Sequence, residues 1–518
     1  MKLLTFLSLV CFFLIPSLIL SQDENLDNWH HFPTSNTLHK GISTIEAYDL
    51  LKNITPKEVI VAVIDTGVDH LHEDLNNIMW VNMDEIPSNG KDDDNNGYID
   101  DIHGWNFLGN SEGENVNAET LIETRIYAEH FKYKGDFNSY KKAVKAFHTN
   151  RENTLISYND TKNYLNDVLE IESTYEERPI TIDAFKSFKV RVGLEDSKKL
   201  ILTYLSKNNN SITNFSSLKS AVKNNLENYK TYLNFYYNPN LNLRELIGDN
   251  FIDNSERYYG NNDSKGPNPN HGTHVAGIIA AERNNNLGIN GIANNVQIMA
   301  VRVVPNGDEY DKDVANAIYY AVDNGASIIN MSFGKLFSWN KQIVDDAVRY
   351  AEKHDVLLVH AAGNSAQELN GSNNFPNQLY EKRRFLGPKQ PKNWIEVGAT
   401  TFNYDENFVA SFSNYDSDLV DIFAPGYQIL STTPESNYAK FSGTSMSSPM
   451  VTGVAALLRG YFPKLSAKKI REIILESGSI IDLEVLRPSD NRLVSFKTLS
   501  LTGSILNAKA AIEMASKG

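Results

Sequence analysis

Five short apolar runs separated by stretches of helical spacing set what this chain can fold into. "EVIVAVIDTGVD" (Glu58 to Asp69) is β-branched and ends in Asp and Gly, and "VQIMAVRVV" (Val296 to Val304), "SIINMSFG", "VLLVHAAGN" and "WIEVGAT" share its character. Between them lie "DVANAIYYAVDNGA" (Asp313 to Ala326), closing at Gly325, and "NKQIVDDAVRYAEKHD", both with helical spacing. Continuous apolar strands of this kind are buried on both faces, and their alternation with helices predicts an α/β fold, a parallel sheet with helices on both faces. Ligands on such sheets bind at the carboxyl ends of the strands.

One region breaks the rhythm. From about Ser111 to Gly260 the chain is rich in Lys, Asn, Tyr and Glu, and "SYKKAVKAFHTN" and "SLKSAVKNNLENYKTYLNFYY" have helical spacing with polar faces. This predicts a largely helical insertion, residues 111–260, in an α/β domain made of residues 58–110 and 261–518. At 518 residues, with 41% hydrophobic residues, the chain can bury a large core. Its net charge of −15 argues against non-specific nucleic-acid binding. Lys2 followed by an apolar run to Leu20 and a small residue at Ser21 predicts an export signal over residues 1–21, a secreted or periplasmic protein, and no membrane span after cleavage. The one cysteine, Cys11, lies inside that run, so the mature chain is stabilised without disulfides. Residues 22–57 form an N-terminal segment: a polar stretch, Asp23 to Lys40, then a helix over Ile42 to Lys52.

"FSGTSMSSPMVTGVAALL" (Phe441 to Leu458) sets small polar residues against an apolar helix. Pro449 is tolerated only near a helix start, so the helix begins close to Thr444–Ser445. Ser445 then reads either as a capping serine or as a nucleophile whose oxyanion the helix N-terminus stabilises. In "NHGTHVAGIIAA" (Asn270 to Ala281), His271 is a candidate base, a packed histidine, or with His274 a metal ligand; the pair lacks the glutamate and spacing of a zinc hydrolase helix. Asp65 ends the first strand, where active groups of such sheets stand.

Taken together, "VIDTGVD", "HGTHVAGIIAA" and "GTSMSSPMVTGVAALL" resemble the three catalytic blocks of the subtilisin-like serine proteases, in that family's Asp…His…Ser order. The resemblance covers about Ile42 to Phe107 and Asn262 to Ala515. It implies that Ser445 attacks a scissile carbonyl, that His271 carries its proton and that Asp65 holds the imidazole. "VHAAGNS" resembles the block carrying the oxyanion asparagine, here Asn364, and "NMSFG" the strand that pairs with substrate, with Ser332 and Gly334 lining the first specificity pocket. The implied partners are polypeptide substrates, with the insertion a candidate surface for a further partner. The alternative is a catalytically silent binding module with the same fold.

"NGKDDDNNGYIDD" (Asn89 to Asp101) offers oxygen ligands on alternate residues, Asp92, Asp94 and Asn96, then Gly97, the Tyr98 carbonyl and Asp100. That pattern suits Ca²⁺, although His103 stands where an EF-hand has Glu; the other reading is a solvated acidic turn. A second calcium site rests on resemblance alone: Asp74 of "HEDL" with Asn285 and the Leu287 and Ile289 carbonyls of "RNNNLGINGIA". Two departures from the family stand out. Asp65 and His271 are 206 positions apart, and about 35 residues precede the first strand after the signal, too few for a folded inhibitory propeptide.

Overall fold

The computed structural model describes residues 26–208, 210–382 and 387–517; the expected signal, with Cys11, lies outside them. Strand β1 (Val59–Asp65) is flanked in its sheet by strands that arrive much later in the chain. In chain order these are β2 (Gly104–Asn106), β3 (Val296–Arg302), β4 (Ile328–Met331), β5 (Leu357–Ala361), β6 (Trp394–Thr400), β7 (Ile422–Pro425), β8 (Ser479–Ile480) and β9 (Ser504–Ile505). Their spatial order is β8-β9-β7-β6-β5-β4-β1-β3-β2, parallel except for the β8–β9 edge pair. The chain leaves β1 for the edge strand β2, returns to β3 on the same side and then crosses to β4 on the other, so the order reverses at β1. That is where a doubly wound sheet opens a crevice at its strand ends.

Burial follows the two-residue period of a strand. Val59, Val61 and Val63 face one core and Ala62 and Ile64 the other. The helices that matter to the site are α1 (Ile122–Ala128) and α2 (Phe137–Thr174) in the insertion, then α3 (Asn270–Ala280), α4 (Asp311–Asp323), α5 (Lys341–Lys353) and α6 (Thr444–Tyr461). Helices α3 and α6 fill the first core, and α4 and α5 the second. The predicted strands and helices fall within a few residues of those observed, and Gly325, at φ +84°, ends the α4 segment as expected.

The N-terminal stretch differs from the reading of Asp23 to Lys40 as polar. Leu26–His31 forms a helical turn whose Trp29 is completely buried in the first core, with His30 and His31 buried beside it. One large indole outweighs its polar neighbours, because burying it removes far more apolar area from water.

Residues 111–260 are mostly helical, with a separate core built from Val168, Ile171, Phe185, Ile201, Leu205 and Phe215. Their two ends are bound to the sheet differently. At the start, the 117–120 stretch pairs with 306–308: Glu119 N–H donates to the Asn306 carbonyl at 2.8 Å and Asn306 N–H to the Asn117 carbonyl at 2.8 Å. At the end, buried Arg244 is held by Asp249 (Nε to Oδ1, 2.6 Å) and by Asp313 of α4 (Nη1 to Oδ2, 2.7 Å), with the Tyr259 hydroxyl donating to Asp313 at 2.5 Å. Removing one partner of a buried ion pair strands the other charge. Arg244→Met is therefore expected to lower unfolding stability by about 3–5 kcal/mol, read as a shift of the urea midpoint.

Candidate active site

The site is built at the reversal point of the sheet. Asp65, fully buried at the end of β1, accepts at Oδ1 from the His271 ring nitrogen Nδ1 (2.7 Å) and from the Thr66 N–H (2.7 Å). His271 stands in the first turn of α3, which can approach β1 closely because position 272 is glycine. A Cβ there would lie 2.2 Å from the Gly67 carbonyl oxygen and 3.1 Å from the Asp65 Cβ. The Gly272 N–H also donates to the Thr66 hydroxyl at 3.1 Å.

The His271 side chain is 34% exposed. Burial works against the imidazolium, but the Asp65 charge and hydrogen bond outweigh it and hold the pKa above the ordinary 6.5. His274, one turn on, is not part of the site. Its Nε2 contacts the Ala439 carbonyl at 3.0 Å, its ring stacks on Phe441, and burial takes its pKa down to about 3.

Ser445 is the second residue of α6, which starts at Thr444 as predicted. Its N–H belongs to the first-turn groups that lack an intrahelical partner. Pro449 lies in the second turn rather than the first. It cannot donate to the Ser445 carbonyl, and that carbonyl instead accepts from the Ser332 hydroxyl at 3.1 Å. In return the Ser445 hydroxyl donates to the Ser332 carbonyl at 3.0 Å. The hydroxyl of Ser332 is buried and also bonded to Ser448 at 2.7 Å, so this residue offers the site its backbone and not its side chain.

Asn364 follows Gly363, which has φ +99°. Its Oδ1 accepts from the Thr444 N–H (2.8 Å) and hydroxyl (3.0 Å), so it caps α6 from outside. That fixes the amide and leaves Nδ2 as its only other polar atom. Ser332, Gly334, Gly363, Asn364 and Ser445 share the lining of a cavity of about 420 Å³.

Sequence reasoning missed two supporting residues. Thr444 sets the Asn364 amide. Buried Arg302, at the end of β3, donates from Nη1 to Asn106 Oδ1 (2.9 Å) and from Nη2 to the Val116 carbonyl (2.6 Å), behind the turn after Asp65. Arg302 lies in no motif, and Thr444 lies in the Ser445 block without a role assigned to it. Each acts through a contact that only the fold creates.

The acidic loop is ordered by its own carboxylates. Asp92 accepts the Asn96 and Gly97 N–H groups, Asp94 accepts the Asn96 N–H, and the Asn96 side chain accepts the Tyr98 N–H. Asp92 and Asp94 bring ligand oxygens to within 4.8 Å of each other and of Glu85, which the alternating pattern did not include. Asp100 turns away and accepts the Asn89 and Gly90 N–H groups at 3.0 and 2.8 Å. In the second candidate site, buried Asp74 accepts from the Asn285 amide (2.7 Å) and the Ile289 N–H (3.2 Å), and Asn285 accepts the Leu287 N–H. Those carboxylate oxygens already have protein donors.

The profile of the subtilase family matches residues 56–494. This chain belongs to the subtilase family. It is 43% identical over 224 residues to the thermophilic serine proteinase of Bacillus sp. (strain AK1), covering 43% of this chain and 49% of that protein. It is 41% identical over 222 residues to thermitase of Thermoactinomyces vulgaris, covering 42% of this chain and 69% of thermitase. To subtilisin Savinase of Lederbergia lenta it is 35% identical over 243 residues, covering 46% of this chain and 77% of that subtilase. The match spans about half the length of the first of these relatives. No helix among the described residues is long and apolar enough to cross a membrane.

The Asp65–His271 contact has a measurable signature. A histidine with its folded pKa raised contributes stability that is fully present below pH 6.5 and is lost as pH rises through the raised value. The NMR titration midpoint of His271 is expected above 6.5, and Asp65→Asn is expected to lower it.

Proposed function

We propose that this subtilase is an exported serine endopeptidase that cleaves polypeptides through an acyl-enzyme. The observation that carries the reading is the 2.7 Å bond between His271 and buried Asp65, with Ser445 in the first turn of α6, a helix that shares a core with the α3 that bears His271. Asp65 fixes the tautomer with the proton on Nδ1 and leaves Nε2 basic. When the Ser445 hydroxyl leaves the Ser332 carbonyl and donates to Nε2, His271 takes its proton as the oxygen attacks the substrate carbonyl. The imidazolium formed is stabilised by Asp65, and it returns the proton to the departing amine.

The oxyanion falls between the Asn364 Nδ2 and the Ser445 N–H, with the dipole of α6 behind them. Asn364 is pre-oriented because its other amide atom is held by Thr444. The Ser332–Gly334 backbone at the end of β4 offers groups for a substrate strand. Labelling by a fluorophosphonate probe tests this reading: the wild type is expected to label and Ser445→Ala is not. A folded wild type that stays unlabelled would instead support a silent binding module. Asn364→Ala is expected to retain labelling but lose about 10²–10³ in turnover, the loss known for the corresponding donor in subtilisin.

Calcium fits the loop that contains Asp92. Ligand oxygens up to 4.8 Å apart match twice the usual Ca²⁺–O distance of about 2.3–2.6 Å, and carboxylates are the hard ligands that ion takes. Glu85, Asp92 and Asp94 would hold it, with the Asn96 side chain and the Tyr98 carbonyl close by; bound there, it would neutralise the loop and stabilise the fold. Chelation is expected to lower the melting temperature by several degrees, and Asp92→Asn should abolish the calcium-dependent part of the shift. Asp74 and Asn285, with the Leu287 and Ile289 carbonyls, would hold a second ion. Export would depend on residues 1–21.

A further inference from the structure

The cavity beside Ser445 is completed by the insertion. Besides the 332–336 and 363–365 backbone it is lined by Glu123, Asn150 and Tyr237 from the insertion and by Asp308. The 117–120 stretch pairs with 306–308, and the Ile122 N–H donates to Asp308 Oδ2 at 2.8 Å, which seats the first turn of α1 against the cavity. At about 420 Å³ the cavity lies within the range of pockets that enclose a ligand group, ~300–1,000 Å³.

The charge around it is unbalanced. Glu123 is 3% exposed, and its bond from the Asn150 amide is long, at 3.3 Å. The one cation in the lining, Lys335, is already engaged: its Nζ lies 2.7 Å from Asp311 Oδ1, 3.3 Å from Glu309 Oε1 and 2.7 Å from the Glu309 carbonyl. Arg125 stands outside the lining. It stacks on Tyr310 and donates to the Thr120, Asp308 and Glu309 carbonyls. Glu119, buried next to Thr120, adds another carboxylate. Two carboxylates, Glu123 and Asp308, thus line the cavity, and the Lys335 charge beside them is taken up by Glu309 and Asp311. Buried charges without counter-charge are costly, and an entering cation would offset that cost. Burial, with the neighbouring Glu309, pushes Asp308 up to about 7, and burial raises Glu123 as well, against the opposing pull of Arg125 on both.

We propose that this cavity receives a lysine or arginine side chain of the substrate, recognised by Glu123 and Asp308, so that the insertion sets cleavage after basic residues. Ser445 and Asn364 share the lining, so the side chain that enters belongs to the residue whose carbonyl is attacked. The inference rests on the endopeptidase reading above. An apolar side chain would leave the carboxylates unpaired, and an acidic one would be repelled.

The test uses the full mature chain and matched fluorogenic peptides that differ only in the residue before the cut: Lys, Arg, Leu, Phe or Glu. Fluorophosphonate labelling is measured on the same sample. The expected result is kcat/KM for Lys and Arg at least about 30-fold above Leu, the scale of a buried charge pair. Glu123→Gln and Asp308→Asn should each reduce the Lys-to-Leu ratio about tenfold, and Glu123→Lys should move preference towards Glu. Circular dichroism melting identifies any variant that fails to fold; the wild-type ratio remains decisive. A labelled wild type that cleaves after Leu or Phe as well as after Lys overturns this inference alone. Absence of labelling removes the endopeptidase reading, and this inference with it.

Discussion

A carboxylate buried at the end of a parallel strand has to find a partner, and Asp65 finds His271. That pairing governs the placement of the elements around it. It draws the N-terminus of α3 against the end of β1, to a distance that only glycine at position 272 allows. The strand is fixed in turn by β3 and β4 on its two sides. The residue following β4, Ser332, is bonded to Ser445 at the start of α6, so that helix too is anchored to a strand end beside the reversal of strand order. The constraint is electrostatic at its centre and steric around it.

Much of this was legible in the sequence because it is written in local chemistry. Apolar β-branched runs read as buried strands, Gly325 marks a helix end by its own conformational preference, and Pro449 sets where α6 can begin. Asp65, His271 and Ser445 could be named because each sits at an element boundary within a short motif. What could not be read depends on contacts between distant segments. Glu85 joins Asp92 and Asp94 only because the 82–101 loop folds back on itself, and Asp100 leaves that group because its oxygens are used by the Asn89 and Gly90 N–H groups. Trp29 was hidden in a polar stretch, since the average over a window does not show where one indole goes. The alternating pattern named Asp92 and Asp94, which approach each other, and did not name Glu85, which joins them.

The insertion shows the same division. Its helical character follows from spacing and composition. Its relation to the cavity follows from a few backbone bonds between 117–120 and 306–308, and from the Arg244–Asp313 pair at its other end. Tied at both ends, it is a wall of the cavity and not an appendage, although it also holds a core of its own.

Ser332 and Ser445 give and receive one hydrogen bond each, a rung of two made possible because Pro449 withholds its own. Only one of these bonds uses the Ser445 hydroxyl. Freeing that hydroxyl breaks one bond, while the other keeps the two backbones in register. The Ser445 hydroxyl can therefore be released without parting the helix from the strand end that holds it.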